Sequence, residues 1–275
     1  MIEGQAGRSP VLSVVIPVYN EAGTIGRVVA QVAAALPAVR KEIIIVDDCS
    51  RDGTADWLRR NLASAAGVWR RASVDGDREL RLSCEGAPEV AGFSVSVHFH
   101  DRNRGKGAAL RTGFAHATGD VVVVQDADLE YDPRDWALML PLIAERQVAD
   151  VVYGSRFFGR PHRSLYYHHY IGNRLISTLF NILYNQMLSD IEVGYKMFRR
   201  EVLEELHLTA DDFGFEIEIS ADIALARHWR IYEVGISYFG RTYDEGKKIN
   251  WRDGLKALFY LFKFRLSAIR LRRRY

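Results

Sequence analysis

Residues 11–18 read Val-Leu-Ser-Val-Val-Ile-Pro-Val, a short apolar run rich in β-branched side chains. Such a run predicts a strand that is buried on both faces, as the strands of parallel sheets are. Apolar residues at helical spacing follow between positions 25 and 36, and Glu42 to Val46 forms a second apolar run. Because parallel neighbours need a crossover helix between them, this order predicts an α/β fold with a doubly wound, mostly parallel sheet and helices on both faces.

The same alternation continues along the chain. Residues 64–93 interrupt it with an irregular stretch that contains Asp75-Gly76, a type I′ turn signal, and we predict a surface hairpin insertion there. The further predicted strands are Val95 to Phe99, Asp120 to Gln125 and Val148 to Tyr153, and the further helices are Thr54 to Leu62, Lys106 to Ala117 and one that starts at Pro133.

The composition fits one globular domain. Of the 275 residues, 48% are hydrophobic and 26% are charged, which is enough for a large core. Cys49 and Cys84 do not make a disulfide framework, so we expect a reducing compartment. Residues 1–10 show no apolar signal segment and are expected to be flexible, and no run reaches the roughly 20 apolar residues that span a bilayer.

Charge is distributed unevenly along the chain. The formal net charge is +2, but residues 263–275 contain six basic residues and no acidic one. A basic tail on a mildly acidic body favours contact with an anionic surface, either a membrane or a nucleic acid. We expect no nucleic acid partner, because the basic charge is confined to this tail and no base-reading module is recognisable.

Three polar clusters follow predicted strands at the point where each strand ends. They are Tyr19-Asn20-Glu21, Asp47-Asp48 and Asp126-Ala127-Asp128. The carboxyl ends of parallel strands form the ligand-binding edge of such a sheet, and acidic residues gathered there repel one another unless a cation is bound. An isolated Asp-x-Asp is usually a helix cap or a solvated loop. Three clusters at one edge instead predict a nucleotide diphosphate held through Mg²⁺ or Mn²⁺.

These clusters belong to a longer series of motifs, which covers roughly residues 12–262 outside the insertion. The series is Val14 to Glu21, Ile45 to Thr54, Asn103 to Gly107, Asp126 to Leu129, Gly154 to Arg156, Ser189 to Lys196 and Ile236 to Arg241. It resembles glycosyltransferase family 2, and in particular the polyprenyl- and dolichyl-phosphate sugar synthases. Cys49 departs from the small residue that is common there, and we expect no transmembrane helices of the kind that follow the catalytic part of many relatives.

The resemblance implies a GT-A-like fold and an inverting enzyme that transfers a hexose from GDP-mannose, UDP-glucose or UDP-GlcNAc to a polyprenyl or dolichyl phosphate. It also implies that Asp126 and Asp128 hold Mg²⁺ or Mn²⁺. The implied nucleotide-sugar-binding residues are Pro17, Tyr19, Glu21, Asp48, Lys106, Asp126 and Ala127. The implied catalytic set consists of Lys106 and Arg241, which would meet phosphate charge, and Asp190 near the acceptor end.

The resemblance divides the single domain into a nucleotide-sugar-binding half (residues 11–155), an acceptor half (156–250) and a basic amphipathic C-terminal helix (251–275). The nature of the acceptor decides whether a base is needed. A sugar hydroxyl must lose a proton, which would make Asp190 a general base, whereas a phosphate monoester is already a dianion and needs cations. The cations available before the next helix are Arg156, Arg160, His162, Arg163 and Arg174, among which Arg156, Arg163 and Arg174 are the predicted acceptor-phosphate residues.

Two amphipathic helices are predicted in the second half. Residues 174–188 would form one helix, and residues 253–274 a second one with a basic end. The apolar face of the first would carry Leu175, Ile176, Leu179, Phe180, Leu183 and Met187, and its polar face Ser177, Thr178, Asn181 and Asn185. Either helix could pack on the core, but the resemblance favours burial in the interface of a bilayer. We therefore expect a peripheral protein on the cytoplasmic face of a membrane.

Two other functions remain open on the sequence. One is a glycosyltransferase of the same fold that uses a soluble or polysaccharide hydroxyl acceptor. The other is a non-catalytic membrane adaptor that binds nucleotide sugars, although a dead relative would tend to lose Asp126-Ala127-Asp128. The histidines are not expected to bind a metal, because His98 and His100 alternate on one predicted strand and no fitting third ligand follows.

Overall fold

The computed structural model describes residues 10–272, except residues 66, 76–78, 86, 88, 160, 165, 213, 243 and 246–250. Four features of the sequence predictions therefore lie outside the described residues. These are most of the N-terminal segment 1–10, the turn residue Gly76, Arg160 of the basic cluster, and Arg273 and Arg274 of the tail.

Strands and helices alternate through the first half of the chain and mix less regularly in the second. The strands are β1 (Leu12–Val18), β2 (Lys41–Asp47), β3 (Arg71–Asp75), β4 (Glu79–Ser83), β5 (Phe93–Phe99), β6 (Val121–Val124), β7 (Val151–Ser155), β8 (Lys196–Arg199) and β9 (Ile231–Gly235). The helices are α1 (Ile25–Ala34), α2 (Thr54–Asn61), α3 (Lys106–His116), α4 (Trp136–Ala144), α5 (Tyr167–Tyr184), α6 (Arg200–Glu205), α7 (Gly214–Ala226) and α8 (Trp251–Arg272), with a 3₁₀ turn at Pro133–Asp135.

The central sheet has seven strands in the order β5-β2-β1-β6-β8-β7-β9. Strand β8 runs antiparallel to β6 and β7, and the other neighbouring pairs are parallel. In β1, β2 and β6 consecutive residues are buried, although their side chains point to opposite faces. Both faces are therefore covered, and the predicted α/β class with a mostly parallel sheet is confirmed.

The register of these strands places three chain segments at one edge. Val18, the last residue of β1, pairs with Asp47, the last residue of β2. On the other side of β1, Val15 pairs with Val124, where β6 ends. The residues that follow the three strands consequently leave the sheet side by side, and each predicted polar cluster lies at this edge.

The insertion packs on the first helices. Within residues 64–93, β3 and β4 pair antiparallel, and β3 lies against α1. The approach is close at Gly26, where a Cβ atom would lie 3.0 Å from the Trp57 ring and 3.5 Å from Val74. A small residue at this position lets the two-stranded sheet cover the junction of α1 and α2.

The second half differs from its prediction in two respects. The short strands β8 and β9 and the helices α6 and α7 had no predicted counterpart. Helix α5 starts at Tyr167, seven residues before the predicted start at 174. It ends at Tyr184, four residues before the predicted end at 188. Asn185 ends it in a left-handed conformation with φ 55°.

The predicted faces of α5 are found in part. Ile176 and Phe180 of the predicted apolar face are buried, but Leu175 of that face is 53% exposed, and Met187, which lies beyond the end of the helix, is 93% exposed. Ser177 of the predicted polar face is 1% exposed, and its hydroxyl accepts the backbone N–H of Ile191 at 3.3 Å, a tertiary contact that helical periodicity does not signal.

Helix α8 packs against α7 and α5 and leaves an apolar stripe outside. Ala257 and Leu261 are buried, while Leu255, Phe259, Phe262 and Leu266, spaced by four, three and four residues, are 49–64% exposed. Among the described residues, none of the helices has the length and apolar character that crossing a membrane requires.

Candidate active site

The polar residues at the edge of the sheet form one group, here called the strand-end cluster and defined by Glu21, Lys106, Asp126, Asp128 and Arg241. Glu21 follows β1, Asp126 and Asp128 follow β6, and Lys106 is the first residue of α3. Arg241 comes from the segment after β9, more than a hundred residues away along the chain. The structure therefore brings together five residues that the sequence predicted separately.

Arg241 is shared among three carboxylates. Its Nη2 atom lies 3.2 Å from Glu21 Oε1 and 3.4 Å from Asp128 Oδ2, and its Nε atom lies 3.5 Å from Glu130 Oε1. The backbone N–H of Arg241 also donates to Glu130 at 2.9 Å, so this carboxylate anchors the main chain of the segment. Burial, and then the neighbouring Asp126 and Glu130 carboxylates, raise the pKa of Asp128 to about 7.

Lys106 and Asp126 belong to a line of alternating charges. Lys106 Nζ lies 2.8 Å from Asp126 Oδ1 and 3.2 Å from Glu216 Oε1. Lys196 Nζ contacts the other carboxylate oxygen of Glu216 and is the last charge in the line. Although burial alone would lower it, the Asp126 and Glu216 carboxylates raise the pKa of Lys106 above its ordinary value. Lys106 is thus held in its charged form beside Asp126.

Close packing leaves room for nothing larger than glycine beside this line. A Cβ atom on Gly194 would lie 2.6 Å from Asp126 Oδ2 and 3.2 Å from Lys106 Nζ. The motif residue Gly194 is therefore required by the approach of the main chain to the charged pair, and any side chain there would push Asp126 aside.

The predicted nucleoside residues border the same edge. Asp48 is 2% exposed and accepts three hydrogen bonds, from the His100 ring at 2.7 Å and from the backbone N–H groups of Arg104 and Gly105 at 2.8 and 2.7 Å. Its carboxylate thus holds the loop that precedes α3. Tyr19 lies at the surface, 36% exposed. The contacts of Pro17, Tyr19, Glu21 and Asp48 with a nucleoside stay predictions.

A second group, the Arg156 cluster, lies where β7 ends and is defined by Arg156, Asn173, Asp190 and Glu192. Arg156 grips Asp190 with two nitrogens, each at 2.7 Å, and Asp190 is fully buried. Asn173 donates to Asp190 at 3.0 Å and to Glu192 at 3.3 Å. The Arg156 guanidinium also lies 5.3 Å from the centre of the Tyr238 ring.

The two carboxylates of this cluster differ in ionisation. Although burial opposes it, the Arg156 guanidinium holds the pKa of Asp190 below its ordinary value. Burial raises the pKa of Glu192 to about 7, because the nearby Arg156 charge offsets only part of the desolvation. The lowered pKa favours the anionic form of Asp190, whereas the raised pKa of Glu192 lies near neutral pH.

The two other predicted acceptor-phosphate residues flank these clusters. Arg163 Nη1 lies 2.6 Å from Glu245 and donates to the carbonyl of Gly240 at 3.2 Å, so it holds the segment that carries Arg241. Arg174 donates to the carbonyl of Ser189 at 3.3 Å, next to Asp190. Both arginines are more exposed than Arg156 and lie at the border of the site.

Five residues of the site were not singled out from the sequence: Glu130, Asn173, Glu192, Lys196 and Glu216. Glu216 carried a weak signal, because it is one of three acidic residues in the mostly apolar helix α7, with Glu218 and Asp222; only the structure shows that Glu216 is 6% exposed and faces Lys106. Glu130 lies two residues beyond the Asp-x-Asp motif and accepts hydrogen bonds from the segment after β9. Nothing in the local pattern indicates that long-range contact.

The residues of the site fit a divalent metal for which the protein supplies only some of the ligands. Asp126 and Asp128 offer hard carboxylate oxygens, as Mg²⁺ and Mn²⁺ prefer. Across the described residues, no group of three or more His, Cys, Asp or Glu side chains is placed to surround a metal. Mg²⁺ in nucleotide sites is commonly held by one or two carboxylates and completed by phosphates and water, which is the arrangement this donor set allows.

The family follows from comparison of the whole chain with known proteins. The model of "Glycosyl transferase family 2" matches residues 13–68 and 72–207. The polyprenol monophosphomannose synthase of Mycolicibacterium smegmatis is 30% identical over 241 residues, which cover 85% of this chain and 79% of that protein. The chain belongs to glycosyl transferase family 2.

Longer relatives match as well. The low-salt glycan biosynthesis hexosyltransferase Agl6 of Haloferax volcanii is 25% identical over 95% of this chain, and the dolichol-phosphate mannosyltransferase of Pyrococcus furiosus is 27% identical over 86%. The chain spans a little over half the length of these two relatives, 55% and 58%.

Solved structures confirm the predicted GT-A-like fold. Glucosyl-3-phosphoglycerate synthase from Mycobacterium tuberculosis, solved with Mn²⁺, UDP and phosphoglyceric acid, superposes with a TM-score of 0.64 over 94% of this chain and 79% of that one. Sequence identity is 19%, so this likeness defines the fold and does not extend to the substrates.

Proposed function

We propose that the protein is an inverting hexosyltransferase that moves a sugar from a nucleotide diphosphate to a polyprenyl or dolichyl phosphate at the cytoplasmic surface of a membrane. The observation that carries the proposal is the strand-end cluster, in which two aspartates and two cations meet where three strands end. The names of the relatives support the acceptor, since two of them are a polyprenol monophosphomannose synthase and a dolichol-phosphate mannosyltransferase.

The strand-end cluster suits a nucleotide diphosphate. Asp126 and Asp128 would hold Mg²⁺ or Mn²⁺, which when bound would neutralise charge on the departing diphosphate. A neighbour of the same fold was solved with Mn²⁺ and UDP and another form of it with Mg²⁺ and UDP, which supports this use of the fold. The base and the sugar stay open among guanine and uracil, and among mannose, glucose and N-acetylglucosamine.

The two cations would act on the leaving group. Lys106 is held charged beside Asp126, and Arg241 can reach the same space from the opposite side. Preorganised positive charge that faces the developing negative charge of a diphosphate lowers the barrier to its departure. Attack on the anomeric carbon from the side opposite the diphosphate inverts its configuration.

The Arg156 cluster supports a phosphate acceptor. Asp190 uses its carboxylate to orient Arg156 and Asn173, and its low pKa makes it a weak proton acceptor. A phosphate dianion needs no base, but it needs a fixed cation, and the two-point grip of Asp190 supplies one. In this proposal Asp190 is a positioning residue, and Arg156, flanked by Arg163 and Arg174, meets the acceptor.

Helix α8 supports work at a membrane surface. Its exposed stripe of Leu255, Phe259, Phe262 and Leu266 is flanked by the exposed Lys256 and Lys263. A helix that turns apolar residues outward between lysines is suited to lie in the interface of an anionic bilayer. The same orientation would bring a lipid-linked phosphate to the protein from the side of α5 and α8.

A hydroxyl acceptor is the second candidate, and one observation favours it. Glu192 is largely buried next to Asn173, and burial raises its pKa to about 7. A general base works best when its pKa lies near the operating pH, so Glu192 is better suited than Asp190 to take a proton from a sugar hydroxyl.

A transfer assay tests the proposal. The protein with Mn²⁺ or Mg²⁺ is given labelled GDP-mannose, UDP-glucose or UDP-GlcNAc together with a short polyprenyl phosphate in detergent, and the lipid fraction is extracted. We expect label in the lipid fraction with one donor. Transfer only to added sugars or other hydroxyl compounds would favour the second candidate, and nucleotide-sugar binding without any turnover would favour a membrane adaptor.

A further inference from the structure

Arg241 contacts one of the two carboxylate oxygens that Asp128 could offer to a metal. Oδ1 of Asp128 already accepts the backbone N–H of Glu130 at 3.0 Å, while Oδ2 faces Arg241 Nη2 at 3.4 Å. A divalent ion that takes Asp128 as a ligand from the side of Oδ2 therefore meets a guanidinium at the same carboxylate. The metal ion and the guanidinium would repel each other strongly at such a short distance.

The Arg241 side chain is held by contacts that can be exchanged. Its distances to Glu21, Asp128 and Glu130 are 3.2–3.5 Å, longer than the 2.7 Å of a tight charge-assisted hydrogen bond, and 22% of the side chain is exposed. Its main chain is fixed independently, because its N–H donates to Glu130 and Arg163 holds the preceding carbonyl. The guanidinium can thus move without the segment that carries it.

We infer that Arg241 and the divalent metal compete for Asp128, so that the metal binds strongly only together with a nucleotide diphosphate. The inference rests on the proposed function. A diphosphate offers Arg241 a new anion and offers the metal further oxygen ligands, so both cations gain partners at once. Metal and nucleotide then strengthen each other's binding, and by thermodynamic linkage the effect is equal in both directions.

Lys106 provides an internal contrast. It also contacts a predicted metal ligand, Asp126, at 2.8 Å, but it has a second carboxylate partner at 3.2 Å, Glu216, which is 8% exposed in its side chain and is not a predicted ligand. When Asp126 turns to the metal, Lys106 keeps Glu216. Arg241 differs, because the nitrogen that faces Asp128, Nη2, has only Glu21 as its other carboxylate contact here, and Glu21 is itself a predicted donor-binding residue; the contact with Glu130 is made by Nε at 3.5 Å. The competition should therefore be visible at Arg241.

The test is Mn²⁺ binding measured without turnover, by the electron paramagnetic resonance signal of free Mn²⁺, on protein that contains no nucleotide. Arg241→Gln and Arg241→Met remove the charge, and Met keeps the aliphatic stem. We expect both variants to bind Mn²⁺ about 10-fold more tightly than the wild type, whereas Arg241→Lys, which keeps a cation, stays close to it. Arg59→Gln, which removes an exposed arginine paired with Asp56, is the matched control and should change nothing.

The same variants are then titrated with UDP and GDP at saturating Mn²⁺. Loss of Arg241 should weaken nucleotide binding while it strengthens binding of Mn²⁺ alone, and these opposite signs distinguish competition from general damage to the site. Unchanged or weaker Mn²⁺ binding by both neutral variants would overturn the inference and leave the donor site intact. Failure of the wild type to bind either nucleotide in the presence of Mn²⁺ would instead remove the proposed function and the inference together.

Discussion

The strand-end cluster and the Arg156 cluster both pair an arginine with carboxylates, but they hold it in opposite ways. Arg156 meets one partner, Asp190, through two contacts of 2.7 Å, and that partner is fully buried. Arg241 is divided among three carboxylates at 3.2–3.5 Å and is partly exposed. Arg156 has one short two-point contact, whereas Arg241 spreads longer contacts over three carboxylates, two of these contacts being to Glu21 at 3.2 and 3.3 Å.

The difference between these two arginines in contact length and burial indicates which of them can change its partner during a reaction. Opening a buried two-point ion pair leaves both charges without water, which costs several kcal/mol. Contacts that are longer, shared and near solvent contribute little individually, so one anion can replace another at small cost. We therefore propose that Arg156 is a rigid cation for the acceptor and that Arg241 is a movable cation for the diphosphate.

The largest expected effect lies in the strand-end cluster. Asp128→Ala removes a predicted metal ligand, and it should weaken Mn²⁺-dependent binding of UDP or GDP by roughly 100-fold or more, since even outer partners of metal ligands are worth about 10–100-fold. Isothermal titration with and without Mn²⁺ measures this. Asp56→Asn, on the surface of α2, is the control. Equal nucleotide affinities of Asp128→Ala and wild type in Mn²⁺ would remove Asp128 from the metal site.

The Arg156 cluster is tested through stability. Asp190→Asn leaves the Arg156 charge buried without its partner and should lower the free energy of unfolding by about 3–5 kcal/mol. Urea denaturation followed by circular dichroism measures the change. Asp150→Asn is a matched control, because Arg230 grips Asp150 with the same two-point geometry at 2.8 Å but is 48% exposed. Similar losses for the two variants would show that burial does not set the Arg156 pair apart.

The next prediction separates the routes of the two substrates. Reversing the charges of Lys256 and Lys263 should weaken binding to anionic liposomes by at least about 10-fold. Each basic residue near an anionic surface contributes about 1 kcal/mol of attraction. Nucleotide binding at the strand-end cluster should not change. The same reversal at Arg59 and Arg60 on α2 is the control. Co-sedimentation with liposomes that is equal in both double variants would show that α8 is not the membrane-binding element.

The smallest expected effect concerns Glu192 and pH. Because its pKa is raised in the folded protein, the folded state keeps a proton that the unfolded chain releases from about pH 4.5 upward. Glu192 therefore lowers the free energy of unfolding most above about pH 7. This destabilisation disappears as the pH falls towards about 4.5. Glu192→Gln should raise Tm at pH 8, by about 2–4 °C for each kcal/mol recovered, and leave Tm at pH 5 nearly unchanged. A Tm difference between variant and wild type that is the same at both pH values would contradict the raised pKa.

Local patterns in the sequence were sufficient for the first half of the fold. The strands β1, β2, β5 and β6 and the helices α1, α2 and α3 were predicted to within two residues at each end, because β1, β2 and β6 contain runs of apolar residues and β5 alternates apolar residues with small or polar ones. Strands β8 and β9 were missed because they are four and five residues long and carry charged residues. Runs so short are stabilised by their neighbours in the sheet rather than by local preference.

For the site, the sequence indicated which residues matter more readily than how they are paired. Asp126, Asp128, Lys106 and Arg241 were predicted through the resemblance, and the structure places them together. Asp190 was predicted as a base for a hydroxyl acceptor, and that role remains untested. Its grip on Arg156 joins residues 34 positions apart, and the sequence contains no local pattern that signals such a pair.

By itself the sequence determined the family, the parallel sheet and the acidic residues at the ends of its strands, because these depend on apolar runs and on motifs that lie within a few neighbouring residues. Only the tertiary structure decided which cation faces which carboxylate. Glu216, Glu130 and Asn173 come from distant segments, and their contacts depend on packing that no local pattern encodes. The burial that packing creates also sets the charge of each group, since desolvation acts on a side chain according to its surroundings and not according to its neighbours in the chain.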